Sequence, residues 1–292
     1  MRRFPWTIGF SVALLALLAP PRAAAQEKEL TALEIFDRAL AAFENQRLAL
    51  REWQYHQTLT THQFDGSGKV LARGTWQSIV RPGDPRPLEY TAERMEGKLS
   101  FFKAGESSEG AAAAAPAQKS KATEESKEKN QAESAVEAVR KYTLRDRYNW
   151  KRLPDESAAG ESAYVLAFEP KPRQNTKSRE ERFFGLLAGR MWVSRNDFSI
   201  LKAEAALQSP CQLFWIIARV TVFQFTYDLE PARSSPRFLR GCKATARTVV
   251  SFPFYAVRQR HWLIADKFEP RTPRGLALKN PKPSLSPRSE EY

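Results

Sequence analysis

A strand–turn–strand segment at residues 189–204 decides the fold, and its sequence is GRMWVSRNDFSILKAE. The residues from Gly189 to Val193 are typical of a β-strand, because they end in a bulky apolar run without proline. The polar triplet from Arg195 to Asp197 marks a turn, and apolar residues resume with Phe198. Consecutive strands joined by short turns pair in an antiparallel sense, so the segment predicts an antiparallel sheet.

The same alternation extends in both directions along the chain. Upstream, Tyr164, Leu166 and Phe168 alternate along a strand, and a turn signal at 65–68 joins two earlier strands into a hairpin. Downstream, the longest candidate strand carries apolar residues on both faces. The predicted strands are 53–59, 70–80, 88–102, 161–169, 189–193, 198–207, 215–229, 249–257 and 262–268.

An amphipathic helix is predicted at residues 30–50, ahead of the first strand. Thr31 and Glu34 have the spacing of a capping box, which marks a helix start. Apolar residues then recur every three or four positions, so they share one face that must pack on the sheet. These residues are Leu33, Phe36, Leu40 and Phe43.

A second, short helix is predicted near residues 133–141. Together these elements define an α+β fold dominated by about eight to eleven antiparallel strands. A sheet of that size must curl, and helices can then cover one of its faces.

The N-terminus, residues 1–25, has the order of a cleavable signal peptide. Two arginines open it, an uncharged apolar run follows at 8–19, and the small residues 23–25 form an A-x-A cleavage site. The apolar run is shorter than the roughly 20 residues that span a bilayer. The mature protein is therefore predicted to be soluble in the periplasm, and an uncleaved anchor is the alternative.

Two segments lack the pattern of a packed domain. Residues 104–135 are rich in Ala, Ser, Lys and Glu and contain no aromatic residue, so they are predicted to be a disordered insertion. A linker between two domains is the alternative. Residues 271–292 are predicted to be a disordered, basic, proline-rich tail, which leaves a single domain at 26–270.

The composition favours an anionic partner and disfavours catalysis. The formal net charge is +13, and a basic protein outside the cytoplasm meets anionic lipid headgroups or acidic partners. No nucleic-acid motif is present, so nucleic acid is not a predicted partner. His56 and His62 lie about 20 Å apart on one predicted strand, too far to share a metal ion. With no catalytic motif either, the chain is predicted not to be an enzyme and to need neither metal nor cofactor.

The chain has two cysteines, Cys211 and Cys242. An even number in an oxidising compartment is consistent with a disulfide between them. Two free, partly buried thiols are the alternative, and the sequence leaves both open.

Aromatic residues recur at strand spacing and are candidates to line an open apolar cavity. Packing in an ordinary core is the alternative for each of them. These residues are Trp53, Tyr55, Trp76, Tyr164, Phe168, Trp192, Phe198, Phe223, Phe225 and Tyr227.

A basic stretch without any acidic residue lies between Glu230 and Asp266. Its arginines are candidates to form a rim that meets an anionic headgroup or an acidic partner protein, and a solvated surface is the alternative. They are Arg233, Arg237, Arg240, Arg247, Arg258 and Arg260.

The block at 189–204 resembles a strand–turn–strand of the bacterial outer-membrane lipoprotein-sorting proteins, the periplasmic lipoprotein-carrier superfamily. The segment ESAYVLAFEP at 161–170 is similar to the preceding strand of that superfamily, which ends in a Glu–Pro step. The order of signal peptide, helix, hairpin and closing strands also matches over roughly residues 27–270, apart from the insertion. Ser194 departs from the pattern, because an acidic residue is expected there.

The resemblance implies an unclosed half-barrel, in which helices pack into the concave side of a curved sheet. It also implies that acyl chains bind between sheet and helices. The chain is therefore expected to be a non-catalytic, periplasmic carrier-like protein that binds a lipid or a lipidated protein. Envelope-stress regulators use the same architecture to bind partner proteins, so an interaction module without lipid cargo is the alternative.

Overall fold

The computed structural model describes residues 29–84, 87–100, 144–172, 175–176, 178–214, 218–232 and 236–271. Within these ranges, eleven strands form one antiparallel sheet. The strands are β1 (Trp53–Phe64), β2 (Val70–Val80), β3 (Leu88–Glu96), β4 (Tyr148–Ala158), β5 (Glu161–Pro170), β6 (Leu187–Ser194), β7 (Ile200–Leu207), β8 (Cys211–Phe214), β9 (Ala218–Leu229), β10 (Cys242–Ser251) and β11 (Ala256–Pro270).

The sheet is curved and does not close. Its order is β3-β2-β1-β11-β10-β9-β7-β6-β5-β4, and β8 pairs with β9 beside this path. The described residues also contain three α-helices, α1 (Ala32–Ala49), α2 (Leu144–Arg147) and α3 (Arg179–Phe184). The predicted α+β half-barrel is therefore confirmed. None of the described helices has both the length and the apolarity needed to span a bilayer.

Several predicted elements are confirmed, with adjusted ends. The Thr31 hydroxyl accepts a hydrogen bond from the Glu34 amide at 3.2 Å, and the Glu34 carboxylate accepts one from the Thr31 amide at 2.8 Å. This capping box begins α1 at Ala32. The third strand ends at Glu96, earlier than predicted. The signal peptide, the insertion at 104–135, the helix near 133–141 and the tail beyond residue 271 lie outside the described residues.

Strand β4 was not predicted, because its sequence has the character of a loop. It contains Pro154 and four charged residues. β4 lies at the edge of the sheet and pairs only with β5. The register of this pairing shifts between Leu153 and Glu156. Proline cannot donate to a ladder of hydrogen bonds, so an irregular edge position tolerates it.

Helix α1 packs on the sheet with a face that shares Phe36 with the predicted one but is otherwise shifted. Ile35, Phe36 and Ala39 are buried in one cluster with Leu166 and Val193 of the sheet. The prediction that Leu33 lies on the buried face was wrong, since its side chain is 38% exposed. Ile35 and Ala39 also have helical spacing, so periodicity alone could not choose between the two faces.

The face of the sheet that carries Leu166 and Val193 is called the inner face, and the opposite face the outer face. Directly paired residues of antiparallel strands point to the same face, so the register defines rows of side chains. One inner-face row crosses eight strands, and every member is apolar or aromatic. The row is Leu166, Met191, Ala203, Tyr227, Ala244, Leu263, Leu59 and Trp76. This central row provides the apolar wall on which the candidate site is built.

Replacing Leu166 by alanine should lower the free energy of unfolding by about 2–5 kcal/mol, because Leu166 is fully buried beneath α1. The matched control is Leu33→Ala, which removes the same atoms from an exposed position and should cost less than about 1 kcal/mol. Urea denaturation measures both values, and equal losses would contradict the assigned docking face of α1.

Candidate ligand-binding site

The centre of the inner face differs from its flanks in how it is covered. Over β4, β5 and β6, α1 buries the inner face completely at Leu166 and Val193. At the centre, Tyr55, Tyr227 and Leu263 remain only half-buried. Side chains that lie deep in the protein yet keep accessible surface are those that line a concavity. The centre of the inner face is therefore the candidate ligand-binding surface.

Two tyrosine hydroxyls lie on this surface. Burial, with a smaller contribution from Cys242, raises the pKa of Tyr55 to about 12. Burial likewise raises the pKa of Tyr227. Neither hydroxyl has a hydrogen-bond partner among the described residues. Each is therefore an uncharged polar group that a ligand or water can bond.

Cys242 and His261 extend this uncharged surface. Burial raises the pKa of the Cys242 thiol to about 11, so the thiolate that a catalytic cysteine needs is scarce at neutral pH. Burial lowers the pKa of His261 to about 4, so its ring is neutral there. Its Nδ1 lies 3.0 Å from the Thr61 hydroxyl. The centre of the inner face thus carries polar atoms without carrying charge.

An open cleft of about 460 Å³ lies beside α1. Its walls come from α1, from the turn between β6 and β7, and from the loop before β10. The lining residues are Arg38, Ala41, Ala42, Asn45, Gln46, Asp197, Phe198, Arg237 and Phe238. The cleft combines apolar side chains with two arginines, as the mouth of a site for an amphipathic ligand would.

Trp53 connects the cleft with the centre of the inner face. Its ring meets Phe238 of the cleft edge-on, with ring centroids 6.4 Å apart. Two residues further along β1, Tyr55 contacts Phe268 at 5.2 Å. An aromatic path therefore runs from the cleft to the tyrosine hydroxyls.

The β6–β7 turn projects Phe198 into the cleft. Phe198 has a φ of 57°, which is uncommon for a bulky residue. The turn holds it there, because the Asp197 carboxylate accepts hydrogen bonds from the Ser199 amide and hydroxyl at 3.0 and 2.6 Å. The Phe198 ring then lies under the Arg38 guanidinium at 5.1 Å and stacks with Tyr164 at 6.1 Å.

Glu161 anchors the loop that supplies Arg237 and Phe238. Its carboxylate accepts hydrogen bonds from Arg237 and Arg240, each at 2.7 Å, and from Ser194 and Asn196, each at 2.9 Å. Burial alone would raise the pKa of Glu161, but these bonds outweigh it and lower the pKa. Ser194 is fully buried against this carboxylate, which explains why an acidic residue would not fit there.

The structure separates the predicted aromatic residues by their surroundings. Tyr55, Tyr227, Trp53, Phe198 and Tyr164 line or adjoin the cleft and the centre of the inner face, as described above. Three others of this face pack in the core. Trp76 is 7% exposed. The ring centroids of Phe168 and Trp150 lie 5.5 Å apart, and those of Phe223 and Phe183 lie 5.1 Å apart. Phe225 lies on the inner face opposite Ala205 and Ala246.

Among the predicted aromatic residues of the strands, Trp192 is the one that lies on the outer face. It pairs with Val165, whereas the inner-face residue Tyr164 pairs with Val193. Its indole donates to the Glu156 carboxylate at 2.8 Å, and Arg190 and Lys202 lie over its ring. Trp192 therefore cannot line a cavity on the inner face.

The predicted basic rim is divided among separate places. Arg237 lines the cleft, whereas the Arg240 side chain is 2% exposed and bonded to Glu161. Arg247, Arg258 and Arg260 lie on the outer face of β10 and β11, where Arg247 is directly opposite Arg260. Arg233 lies outside the described residues.

The two cysteines are free thiols. Cys211 pairs with Val220, which pairs with Val250, whereas Cys242 is eight residues further along β10. At about 3.3 Å per residue the two lie about 26 Å apart along the strand, far beyond the reach of a disulfide. The disulfide alternative is therefore wrong for this fold.

Parts of the site gave no signal in the sequence. Arg38 and Asn45 occupy the polar side of α1, where charged and amide residues are ordinary. Phe238 is a lone aromatic residue in a polar loop. Their roles follow only from the position of the loop that Glu161 holds.

The chain is similar to solved structures of low sequence identity. A LolA superfamily protein from Nitrosomonas europaea shares 12% identity, with 84% of this chain and 95% of that chain covered and a TM-score of 0.26. A DUF1329 family protein from Desulfovibrio piger shares 13%, with 83% and 94% covered and a TM-score of 0.32. MucB from Pseudomonas aeruginosa, in complex with MucA, shares 10%, with 82% and 99% covered and a TM-score of 0.25.

No protein-family model matches the chain. No curated protein matches it either.

The neutral state of His261 predicts how stability depends on pH. The unfolded chain binds this proton below pH 6.5, whereas the folded protein binds it only below about pH 4, so acidification between these values favours unfolding. His261→Gln should therefore flatten the fall in unfolding free energy across this range, by up to about 3 kcal/mol. Urea denaturation at a series of pH values measures the slope. The matched control is His56→Gln on the outer face, and an equal change in both variants would contradict the assignment.

Proposed function

We propose that this protein is a non-catalytic binding module that shelters an apolar chain, such as the acyl chain of a lipid or of a lipidated protein, against the inner face. One observation carries the proposal. The apolar row crosses eight strands, and at its centre half-buried tyrosines present hydroxyls that have no partner among the described residues.

The chemistry of this surface suits an acyl chain. Each methylene exposed to water costs about 0.8 kcal/mol, so an acyl chain gains most from a wall that is apolar and uncharged. Tyr55, Tyr227 and Cys242 are neutral near pH 7, and burial raises each pKa further from that range. His261 is neutral there because burial lowers its pKa to about 4. The few polar atoms can orient a ligand without the desolvation cost of a buried charge.

The cleft supplies a place for a polar or anionic headgroup. Arg38 and Arg237 lie in its lining, and Phe198 and Phe238 provide apolar contacts beside them. Asp197 lies in the same lining, 4.0 Å from Arg237. A ligand that lies with its chain along the aromatic path past Trp53 would place its polar head in this cleft of mixed charge.

We place this function in the periplasm, in a single domain spanning 26–270 that is released by cleavage of the signal peptide at 1–25. Its partners would be a lipid or a lipidated protein. The competing reading is a module of the same fold that binds a protein partner and carries no lipid.

Native mass spectrometry of the protein purified from a bacterial periplasm without detergent tests the proposal. We expect a stoichiometric, lipid-sized mass that is lost on denaturation. Ala244→Phe should reduce the ligand-bound fraction, because a phenyl group between Tyr227 and Leu263 displaces at least two ligand methylenes and weakens binding by about tenfold or more.

The matched control is Thr245→Phe, which adds a similar ring one residue away on the outer face, and it should retain the ligand. Thermal unfolding of all three proteins establishes that they are folded. A bare wild-type mass that takes up neither added phospholipid nor acylated peptide would refute the proposal and favour the partner-binding module.

A further inference from the structure

The hairpin between β10 and β11 ends in projecting aromatic side chains. Phe254 is 97% exposed and Tyr255 is 61% exposed. The tip is nevertheless ordered by its own contacts, because the Phe252 amide donates to the Tyr255 carbonyl at 2.8 Å and the two rings stack at 4.6 Å. An aromatic side chain that a well-formed turn holds out in water marks a contact surface when other apolar groups adjoin it.

Other apolar groups do adjoin it, on the hairpin between β1 and β2. Phe64 pairs with both Arg258 of β11 and Val70 of β2, so the two hairpins end side by side at the same end of the sheet. Val70 is 38% exposed and Leu71 is 55% exposed. Four of the nine exposed large apolar side chains in the described residues therefore lie at this one end, which we call the hairpin end.

Arginines surround the hairpin end on the outer face. Arg219 pairs with Ser251, Arg258 with Val249, and Arg260 with Arg247. Within the described part of the chain, none of these four arginines forms an ion pair. The Arg260 guanidinium instead lies over the Phe64 ring at 5.5 Å. Like charges placed directly opposite one another destabilise a sheet, so an external anion would relieve their repulsion.

The acidic groups near this end are already engaged. The Asp65 carboxylate accepts hydrogen bonds from Ser67 and from the Lys69 amide inside the β1–β2 turn. Glu96 is paired with Arg73 and Arg94. The positive charge of the four arginines is therefore left for a partner.

The spacing of aromatic and basic groups fits a lipid surface. Arg258 lies three residues beyond Tyr255, which is about 10 Å along the strand. Arg219 lies opposite Ser251, the last residue of β10 before the turn. Aromatic side chains partition into the bilayer interface, to a depth of about 5–10 Å. With the tip at that depth, these two arginines reach the headgroup phosphates. Arg247 and Arg260 then remain within one Debye length of the surface, about 8–10 Å.

We propose that the hairpin end docks on an anionic lipid bilayer, with Phe254 and Tyr255 in the interface and the four arginines on the headgroups. An acidic protein would satisfy the arginines but would leave a nearly fully exposed phenyl ring at a projecting turn without a role. This inference concerns a different surface from the inner face and goes beyond the proposed function.

Co-sedimentation with lipid vesicles tests the proposal. The full chain is purified from the soluble periplasmic fraction, and all variants carry the same N-terminus, so any contribution from it cancels. We expect binding to vesicles of equal parts phosphatidylcholine and phosphatidylglycerol, and binding at least about tenfold weaker to phosphatidylcholine alone. Phe254→Ser/Tyr255→Ser and Arg258→Glu/Arg260→Glu should each reduce binding to the anionic vesicles by about tenfold or more.

Two controls match these changes elsewhere on the surface. Leu33→Ser/Leu48→Ser removes two exposed apolar side chains from α1. Lys151→Glu/Lys267→Glu makes the same change in net charge at exposed positions away from the hairpin end. Both controls should bind like the wild type. Wild-type binding that is equal on the two vesicle types, or unchanged in the Phe254/Tyr255 variant, would overturn the proposal, as would an equal loss in either control.

Discussion

The pairing register of the central strands is the constraint on which the rest of the structure depends. A slip of one residue between β9 and β10 would turn Tyr227 to the outer face and bring Thr226 or Asp228 to the inner face. The apolar row, the neutral polar groups and the docking of α1 would all be lost together. The register is in turn held by that row, because its alternatives would bury charged and polar side chains without partners.

The register also separates uncharged side chains on the inner face from charged side chains on the outer face. On the inner face, Tyr55 and Tyr227 are uncharged, and burial lowers the pKa of His261 so that its ring is neutral as well. On the outer face, charged side chains make cation–π contacts with aromatic rings. Arg190 and Lys202, for example, both lie over the ring of Trp192. The inner face is therefore a wall without charge at its centre, while the outer face of the same strands carries charged side chains.

Glu161 joins the sheet to the cleft. Four donors converge on its carboxylate, and two of them, Arg237 and Arg240, belong to the loop that carries Phe238. Since Arg240 is buried, the loop cannot move away without leaving a charge unpaired, which is costly. Arg237 differs, because it is half exposed and also lines the cleft, so it can contact both Glu161 and a ligand.

The sequence by itself determined the class of the fold and most of its elements. The strand–turn–strand at 189–204 and the β1–β2 hairpin are local features that period-two alternation detects directly. The capping box at Thr31 is equally local, because the spacing of Thr31 and Glu34 alone marks the start of the helix. Local patterns could not identify the edge strand β4, whose Pro154 is tolerated only because no further strand pairs beyond it. Nor could they assign Trp192 to the outer face or separate Cys211 from Cys242, because both depend on register between strands. The cleft and the hairpin end likewise arise only when segments distant in sequence meet, and that is a property of tertiary structure.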